Sequence, residues 1–199
     1  MPELLIELLS EEIPARMQAR AMADLKRLVC CGLKKENLTF TKAEAYTTPR
    51  RLALVVDGIL ERQPDISEER KGPQVSAPEK AVEGFLKSVG FSSPDQCEIR
   101  EIKGKTFYFA VREKKGEATI SVLPELFNNV FSAFPWPKSM RWGSNNQRWV
   151  RPLHSVLCLF DGKAVDDVVF GDTAADNTTV GHRFLSPDSF AVKDFADYR

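Results

Sequence analysis

The sequence predicts an α+β fold, with a mixed, largely antiparallel sheet and flanking helices. Two observations predict this class. Residues 1–60 follow the order β-α-β-β, because short apolar runs alternate with one stretch of helical apolar spacing. Further strand-like runs occur at 153–160, 165–170 and 178–184, after a middle section with two more helical patterns. The Asp-Gly pair at 161–162 is a hairpin signal and favours antiparallel pairing.

The first strand and helix follow from the N-terminal pattern. Residues 4–9 are a nearly continuous apolar run and predict a buried strand. Ser10, two acids and Pro14 then predict a helix N-terminus, where carboxylates complement the helix dipole. Apolar residues at helical spacing continue through 17–29. Helix capping is the simplest explanation for the three carboxylates at this junction, Glu7, Glu11 and Glu12.

The next segments predict two strands, a connector and a second helix. Residues 39–47 and 51–60 are strand-like, and the second run is apolar enough to be buried on both faces. The charged segment 61–71 predicts a solvated connector. A capping box at 76–79 then starts a helix that ends at Gly90.

Two lobes are predicted from the remaining pattern. A hairpin is expected over 99–111, turning at 103–105, and a helix follows it. The main α+β lobe is expected to combine residues 1–62 with 135–199. Residues 63–134 are expected to form a connector plus an inserted helix-hairpin-helix lobe, in the order α-β-β-α.

The composition is that of a globular protein with no overall charge bias. The chain has 199 residues, of which 28 are basic and 28 acidic, so the net charge is zero. A uniformly basic nucleic-acid-binding protein is thereby excluded. Any RNA-binding surface must come from local segregation of charge.

The location is predicted from the cysteines and the apolar runs. The four cysteines form no CxxC pair and predict buried thiols in a reducing compartment. We expect a soluble, cytoplasmic protein, because the N-terminus has no signal-peptide pattern and no apolar run approaches the roughly 20 residues of a membrane span. A helical pattern that begins near Val192 and stops at Arg199 without a C-cap predicts a piece of a longer protein.

The most distinctive stretch is residues 126–160, which contain all three tryptophans and no Asp or Glu. The same stretch has four Lys or Arg residues and one histidine. Cations position phosphates and aromatic rings stack on unpaired bases, so the stretch is a candidate RNA platform. The alternative is that the tryptophans pack in the core while the cations are solvated, and composition alone slightly favours it.

Two shorter motifs also carry cations. The adjacent pair Arg50 and Arg51 follows Pro49 between two predicted strands, and the side chains should diverge if Arg51 begins its strand. They could contact phosphate or an acidic partner, although a simple surface turn is the commoner outcome. His182 and Arg183 close the last predicted strand, and either His182 or His154 could act as a general base.

Several motifs of self-contained enzymes do not occur in the sequence. There is no Walker A loop, GxGxxG, HExxH or GxSxG pattern. We therefore expect no catalytic residues, no metal site and no ATP site in this chain.

Six motifs together resemble one known family. They are Leu5-Ile6-Glu7-Leu8-Leu9-Ser10-Glu11-Glu12-Ile13-Pro14-Ala15-Arg16, Thr48-Pro49-Arg50-Arg51-Leu52-Ala53, Lys71-Gly72-Pro73, Pro137-Lys138-Ser139-Met140-Arg141-Trp142-Gly143, Val150-Arg151-Pro152-Leu153-His154 and Gly181-His182-Arg183-Phe184-Leu185. Any one motif is weak, but six in register over nearly the whole chain are specific. Their order resembles the β subunit of the bacterial two-subunit glycyl-tRNA synthetase.

The resemblance implies an α2β2 enzyme that joins glycine to its tRNA using ATP. The implied partners are the α subunit, which binds ATP and makes the glycyl-adenylate, a second β subunit, and glycine-accepting tRNA. This chain would be the N-terminal part of the β subunit, with no cofactor of its own. Candidate RNA-binding residues are Arg50, Arg51, Lys138, Arg141, Trp142, Arg151, His182 and Arg183.

Three hypotheses remain open from the sequence. The chain could contact tRNA or brace the α subunit without catalysis. It could be an editing-like domain that hydrolyses mischarged tRNA through a histidine such as His154 or His182. It could also be a purely structural lobe.

Overall fold

A computed structural model describes residues 2–102, 104–143 and 146–199 of the chain. The strands, in chain order, are β1 (Glu3–Ser10), β2 (Lys42–Thr48), β3 (Arg51–Asp57), β4 (Ile66–Gln74), β5 (Glu98–Ile102), β6 (Lys105–Lys114), β7 (Leu153–Phe160), β8 (Lys163–Ala164), β9 (Val169–Phe170), β10 (Thr173–Asp176), β11 (Thr178–Val180) and β12 (Ser189–Ala191). The helices are α1 (Ala15–Lys35), α2 (Glu79–Val89), α3 (Thr119–Ser132) and α4 (Phe195–Tyr198).

The predicted α+β class is confirmed. The largest sheet has the order β2-β3-β1-β7-β10-β9, and β8 also pairs with β7. Within the described residues, β7 and β10 are the one parallel pair, and the other strand pairs are antiparallel. The sheet is therefore mixed but largely antiparallel, as the hairpin signals indicate.

The chain forms two compact units. The first contains the described residues of 2–63 and 117–199, and the second contains those of 64–116. These boundaries differ from the predicted ones, because α3 belongs to the first unit. Leu123 and Phe127 of α3 are fully buried in the same core as Leu25 of α1. The second unit is therefore a three-stranded sheet, β4-β6-β5, with helix α2 and a short 3-10 helix at Pro94–Gln96.

In the first unit, β1 is buried on both faces of the sheet, which explains its continuous apolar run. Leu4, Ile6 and Leu8 belong to the core that also contains α1 and α3. Leu5 belongs to a second cluster with Val192, against which Phe195 packs. Because alternate residues of a strand point to opposite faces, Glu7 and Leu9 share the face of Leu5. This face carries the candidate site.

The predicted N-caps are wrong, whereas the predicted helices are confirmed. Helix α1 begins after Pro14 without a side-chain cap, and α2 begins after Pro78 in the same way. Ser10 instead ends β1, where its backbone N–H donates to the Arg50 carbonyl oxygen at 2.8 Å. Ser10 thus takes part in the sheet, although the local sequence pattern predicts it as a helix cap. Gly90 ends α2 at a φ of 73°, as predicted.

The predicted connector over 61–71 is partly wrong, because β4 covers most of it. Residues 67–71 are charged or polar and exposed while their backbone pairs with β6. An exposed strand needs no apolar run, so the sequence pattern does not reveal it. The hairpin predicted over 99–111 is confirmed as β5 and β6, although Lys103 at its turn lies outside the described residues.

The hairpin predicted at 161–162 is confirmed between β7 and β8. Asp161 and Gly162 have φ values of 48° and 75°, as a two-residue turn of this kind requires. The strand predicted over 178–184, in contrast, ends at Val180. A Cβ atom on Gly181 would lie 2.6 Å from the Cβ of Ser186, so the chain folds back on itself there and needs a glycine.

Two further expectations concern the thiols and membrane spans. All four cysteines are free, and Cys97 and Cys158 are buried as predicted. Cys31 is exposed and Cys30 is half-buried, so the prediction of buried thiols fails at this adjacent pair. Within the described residues, the helices are all too short or too polar to cross a bilayer.

Candidate functional site

A cavity lies on the Glu7 face of the large sheet, and its floor is one row of residues across three strands. Tyr46 of β2 pairs with Ala53 of β3, and Ala53 pairs with Glu7 of β1. Residues that are directly opposite in antiparallel strands point to the same face. The small Ala53 side chain therefore leaves open space between Tyr46 and Glu7.

Glu7 is a fully buried carboxylate at the base of this cavity. Arg51 Nε donates a hydrogen bond to Glu7 Oε2 at 2.9 Å. The hydroxyl groups of Thr179 and Tyr198 also donate to the Glu7 carboxylate. A buried charge is costly unless it is paired and hydrogen-bonded, and these three partners meet that requirement. The helix-capping explanation for Glu7 is therefore wrong.

Arg51 also fixes the neighbouring chain segment. Its Nη2 group donates to the carbonyl oxygens of Val180 and of Gly181, the latter at 3.0 Å. Arg51 thus links β1 and β3 to the segment that follows β11. Since its Nε and Nη2 groups are occupied in this way, Arg51 mainly positions the cavity wall.

Tyr198 stays a hydrogen-bond donor over the physiological pH range. Burial and the adjacent Glu7 carboxylate raise the pKa of the Tyr198 phenol well above its ordinary value. The ring also stacks on Phe195, with the ring centroids 6.2 Å apart. Phe195 stacks in turn on Tyr46 at 5.3 Å, so a column of three aromatic rings borders the cavity.

We call this space the arginine cavity. It has a volume of about 710 Å³. Four arginines and two glutamates are the charged residues that line it: Arg50, Arg51, Arg183, Arg199, Glu7 and Glu12. His182 and the aromatic rings of Tyr46, Phe190 and Phe195 line it as well. The lining therefore combines excess positive charge with aromatic surface.

The cavity brings together four of the eight predicted site residues. Arg50, Arg51, His182 and Arg183 come from two motifs about 130 residues apart and line one space. Arg50 Nε donates to the Ser10 carbonyl oxygen at 3.2 Å, and Arg50 also lines the cavity. Arg50 and Arg51 have different carboxylate neighbours, because Arg50 Nη2 lies 3.7 Å from Glu11 while Arg51 pairs with Glu7.

His182 is held in one tautomer by the turn that follows it. Its Nδ1 atom accepts hydrogen bonds from the backbone N–H groups of Phe184 and Leu185, at 3.3 and 3.4 Å. In the neutral imidazole the proton is then on Nε2. The Nε2–H group of that tautomer is then the donor that His182 presents to the cavity.

The other four predicted residues do not converge. Arg141 and Arg151 are exposed, and neither lines the arginine cavity. Lys138 lies in a second pocket, which we call the α1 pocket and which is lined in part by Arg16, Arg20 and Trp136. Trp142 packs against the core and stacks on Phe170, with ring centroids 6.0 Å apart and planes within 8°.

The tryptophans of residues 126–160 belong to the core. Trp149 is fully buried, and its ring contacts those of Phe131, Phe134 and Phe170. Trp136 packs edge-on against Trp149 at 5.0 Å. A fully buried ring such as Trp149 offers no face on which a base could stack. The core alternative is therefore the correct interpretation of Trp149.

The two histidines that could act as general bases have different surroundings. His154 Nε2 lies 2.8 Å from Glu11 Oε1, and both side chains are substantially exposed. This hydrogen bond, with a smaller contribution from Arg50, lowers the pKa of the Glu11 carboxyl. Neither His154 nor Glu11 lines the arginine cavity. Of the two candidate histidines, His182 is therefore the one that lies at the site.

Sequence reasoning missed Glu7, Thr179, Tyr46 and Tyr198 as site residues. One signal could have revealed Glu7, because a carboxylate within a strand buried on both faces must find a partner. The partners themselves are distant in sequence. Across the described ranges, no group of three or more His, Cys, Asp or Glu side chains is placed to bind a metal ion.

Comparison with known proteins identifies the family. The profile described as "Glycyl-tRNA synthetase beta subunit" matches residues 4–199. Relatives named glycine–tRNA ligase beta subunit align with all of this chain. They come from Rhodospirillum centenum at 49% identity, Paracoccus denitrificans at 51% and Cereibacter sphaeroides at 52%.

The alignments differ in how much of each protein they cover. They include 100% of this chain but only 31%, 29% and 29% of the three relatives, so the chain spans about 30% of their length. The resemblance predicted from six motifs is confirmed over nearly every residue. The chain belongs to the glycyl-tRNA synthetase β-subunit family.

Proposed function

We propose that this chain is the N-terminal part of the β subunit of a glycine–tRNA ligase and that it contacts tRNA without catalysing the reaction. The whole enzyme would attach glycine to its tRNA in the cytoplasm. Its proposed partners are an α subunit, which would bind ATP, a second β subunit in an α2β2 tetramer, and glycine-accepting tRNA. Family membership supports this assignment.

The observation that carries the proposed contact is the convergence of Arg50, His182 and Arg183 on one cavity with exposed aromatic surface. Tyr46 and Phe190 are 42% and 43% exposed, so their rings are accessible, unlike that of Trp149. Phosphates bind to arginine, and unpaired bases stack on aromatic rings. The combination suits a single-stranded nucleotide of the tRNA.

The volume of the arginine cavity supports the same ligand class. About 710 Å³ lies within the range of about 300–1,000 Å³ that is typical of small-ligand pockets. It could accommodate one nucleotide and not a duplex. In this arrangement Arg50 and Arg183 would contact phosphate, and the Nε2–H group of His182 would donate to a base or ribose oxygen.

Arg51 has a different role in this proposal. It would position the cavity wall through Glu7 and the carbonyl oxygens of Val180 and Gly181. Its loss would act through the fold of the site and not through a missing ligand contact.

The test is the Arg50→Gln/Arg183→Gln variant of the complete β subunit, assembled with its α subunit. We expect tRNA binding to weaken about a hundredfold or more, because each of the two arginines would lose a charge-assisted hydrogen bond that contributes about 1.5–3 kcal/mol. Glycine activation, measured without tRNA, should be unchanged. The matched control is Arg70→Gln/Arg112→Gln, which removes two exposed arginines outside the cavity.

Three outcomes would overturn the proposal. Binding equal to that of the control would mean that the cavity cations are incidental. Unchanged binding with slower hydrolysis of mischarged tRNA would support the editing-like alternative. Loss of the α subunit on purification, with normal tRNA binding by the remaining complex, would support a purely structural role.

A further inference from the structure

We infer that the α1 pocket is a second RNA contact, which binds the sugar-phosphate backbone of the tRNA. This inference rests on the proposed tRNA-handling function. It concerns a different set of residues from the arginine cavity. The pocket has a volume of about 320 Å³ and is lined by three cations, Arg16, Arg20 and Lys138.

Two rigid elements bring these cations together. Arg16 and Arg20 are four residues apart on α1, so they lie on one face of the helix. Lys138 follows Pro135, Trp136 and Pro137, whose segment also lines the pocket. Trp136 stacks on Phe134 at 4.8 Å and contacts the buried Trp149, which holds this segment in place next to α1. The backbone positions that carry the cations are therefore fixed close together.

The charges of the α1 pocket are unbalanced. Asp24 is its one acidic lining residue, and Asp24 lies 3.6 Å from Arg20 and 2.8 Å from Arg27, outside the pocket. Within the described ranges, neither Arg16 nor Lys138 has a carboxylate oxygen within 4.0 Å. Three neighbouring cations with one shared carboxylate attract a ligand with negative charge.

The neighbouring sequence favours RNA phosphate over an acidic protein segment. Residues 126–160 contain no Asp or Glu. Arg148 donates hydrogen bonds to the Ser139 hydroxyl and carbonyl oxygens at 3.1 and 3.2 Å, so its positive charge lies beside the residue that follows Lys138. Such an extended, acid-free segment matches a ligand with a charge at every unit, as in a nucleic-acid backbone. The half-buried Trp136 and the two prolines give the pocket an apolar wall against which a ribose can pack.

The test measures the salt dependence of tRNA binding by the complete, assembled enzyme. For each phosphate contact, the slope of log K against log salt has a magnitude of about 0.7–0.9. The Arg16→Gln/Lys138→Gln variant should therefore reduce the slope by about 1.4–1.8 and weaken binding about tenfold at about 0.1 M salt. The control is Lys26→Gln/Lys35→Gln, which removes two exposed cations of α1 outside the pocket.

A slope equal to that of the control would overturn the inference. Weaker association with the α subunit at an unchanged tRNA slope would also overturn it, since the pocket would then bind an acidic protein segment. If the double variant unfolds, Lys138→Gln alone serves, because Lys138 is exposed and should reduce the slope by about 0.7–0.9. The arginine-cavity variant tests the proposed function separately, so the two failures can be distinguished.

Discussion

The arginine cavity and the tryptophan-rich stretch at 126–160 use the same residue types in opposite ways. In the stretch, rings and cations are neighbours in sequence, but Trp149 is buried while Arg141 and Arg151 are exposed. In the cavity, rings and cations come from distant segments and line one space. Clustering along the chain therefore does not by itself show which rings and cations share an open surface. A site depends on which faces remain open after the core has formed.

The largest effect should come from replacing Arg51, because this arginine supports the fold of the site. Arg50, in contrast, is proposed to face the ligand. Arg51→Met leaves the buried Glu7 carboxylate without its cation, so the free energy of unfolding should fall by about 3–5 kcal/mol. Arg50→Met should cost less than about 1 kcal/mol, since its ion pair is partly exposed. Urea denaturation measures both.

The double variant Glu7→Gln/Arg51→Met sharpens this prediction. It should recover part of the stability lost in Arg51→Met, because the uncompensated charge is absent. Equal costs for Arg50→Met and Arg51→Met would show that the two arginines do not differ as the geometry indicates.

A smaller effect is expected from the exposed cations of the tryptophan-rich stretch. Arg141→Glu/Arg151→Glu should weaken tRNA charging by the complete enzyme a few-fold without unfolding it, because exposed charges attract RNA over a screened distance. The effect should disappear at high salt. Charging assays at two salt concentrations, beside Arg50→Glu/Arg183→Glu, measure the difference. A larger loss of tRNA charging in Arg141→Glu/Arg151→Glu than in Arg50→Glu/Arg183→Glu would contradict the comparison between the two regions.

The smallest effect concerns Glu11. Its carboxylate contacts His154 of the tryptophan-rich stretch and Arg50 of the arginine cavity. The hydrogen bond to His154, and then Arg50, lower the pKa of Glu11 below its ordinary value of 4.5. The ionised carboxylate therefore stabilises the fold above about pH 4.5, and this contribution is lost as the pH falls through the lower folded value. Glu11→Gln should be slightly less stable near neutral pH and should lose less stability on acidification.

Urea unfolding between about pH 3 and 7 measures this small change. The control is Glu12→Gln, since Glu12 is exposed and has no ion pair among the described residues. The interpretation fails if the two variants show the same pH dependence, because the Glu11–His154 hydrogen bond would then contribute nothing.

Local sequence patterns predicted the elements that depend on local turn chemistry or have strongly periodic apolar residues. Helix α1 follows from its apolar spacing, and the turn between β7 and β8 follows from Asp161 and Gly162. The exposed strand β4 was missed, because its pairing with β6 needs no apolar run. The unit to which α3 belongs was also missed, because adjacency in sequence does not show which core a helix packs against.

The candidate site was predictable in composition but not in assembly. Arg50, Arg51, His182 and Arg183 were identified as candidates from short motifs. Their convergence was not, and the helix-cap interpretation of the N-terminal glutamates concealed Glu7. Tyr46 has no local pattern to mark it, because its role depends on its place opposite Ala53 in the sheet.

The sequence by itself determined the α+β class, the principal helices, the hairpins and the family, because periodicity and motif order are properties of the chain. Only the tertiary structure decided which charges are buried and which rings are open. Glu7 meets Arg51 across 44 residues, Thr179 across 172 and Tyr198 across 191. Such pairings arise when the sheet brings distant strands together, and burial then requires each buried charge to have partners.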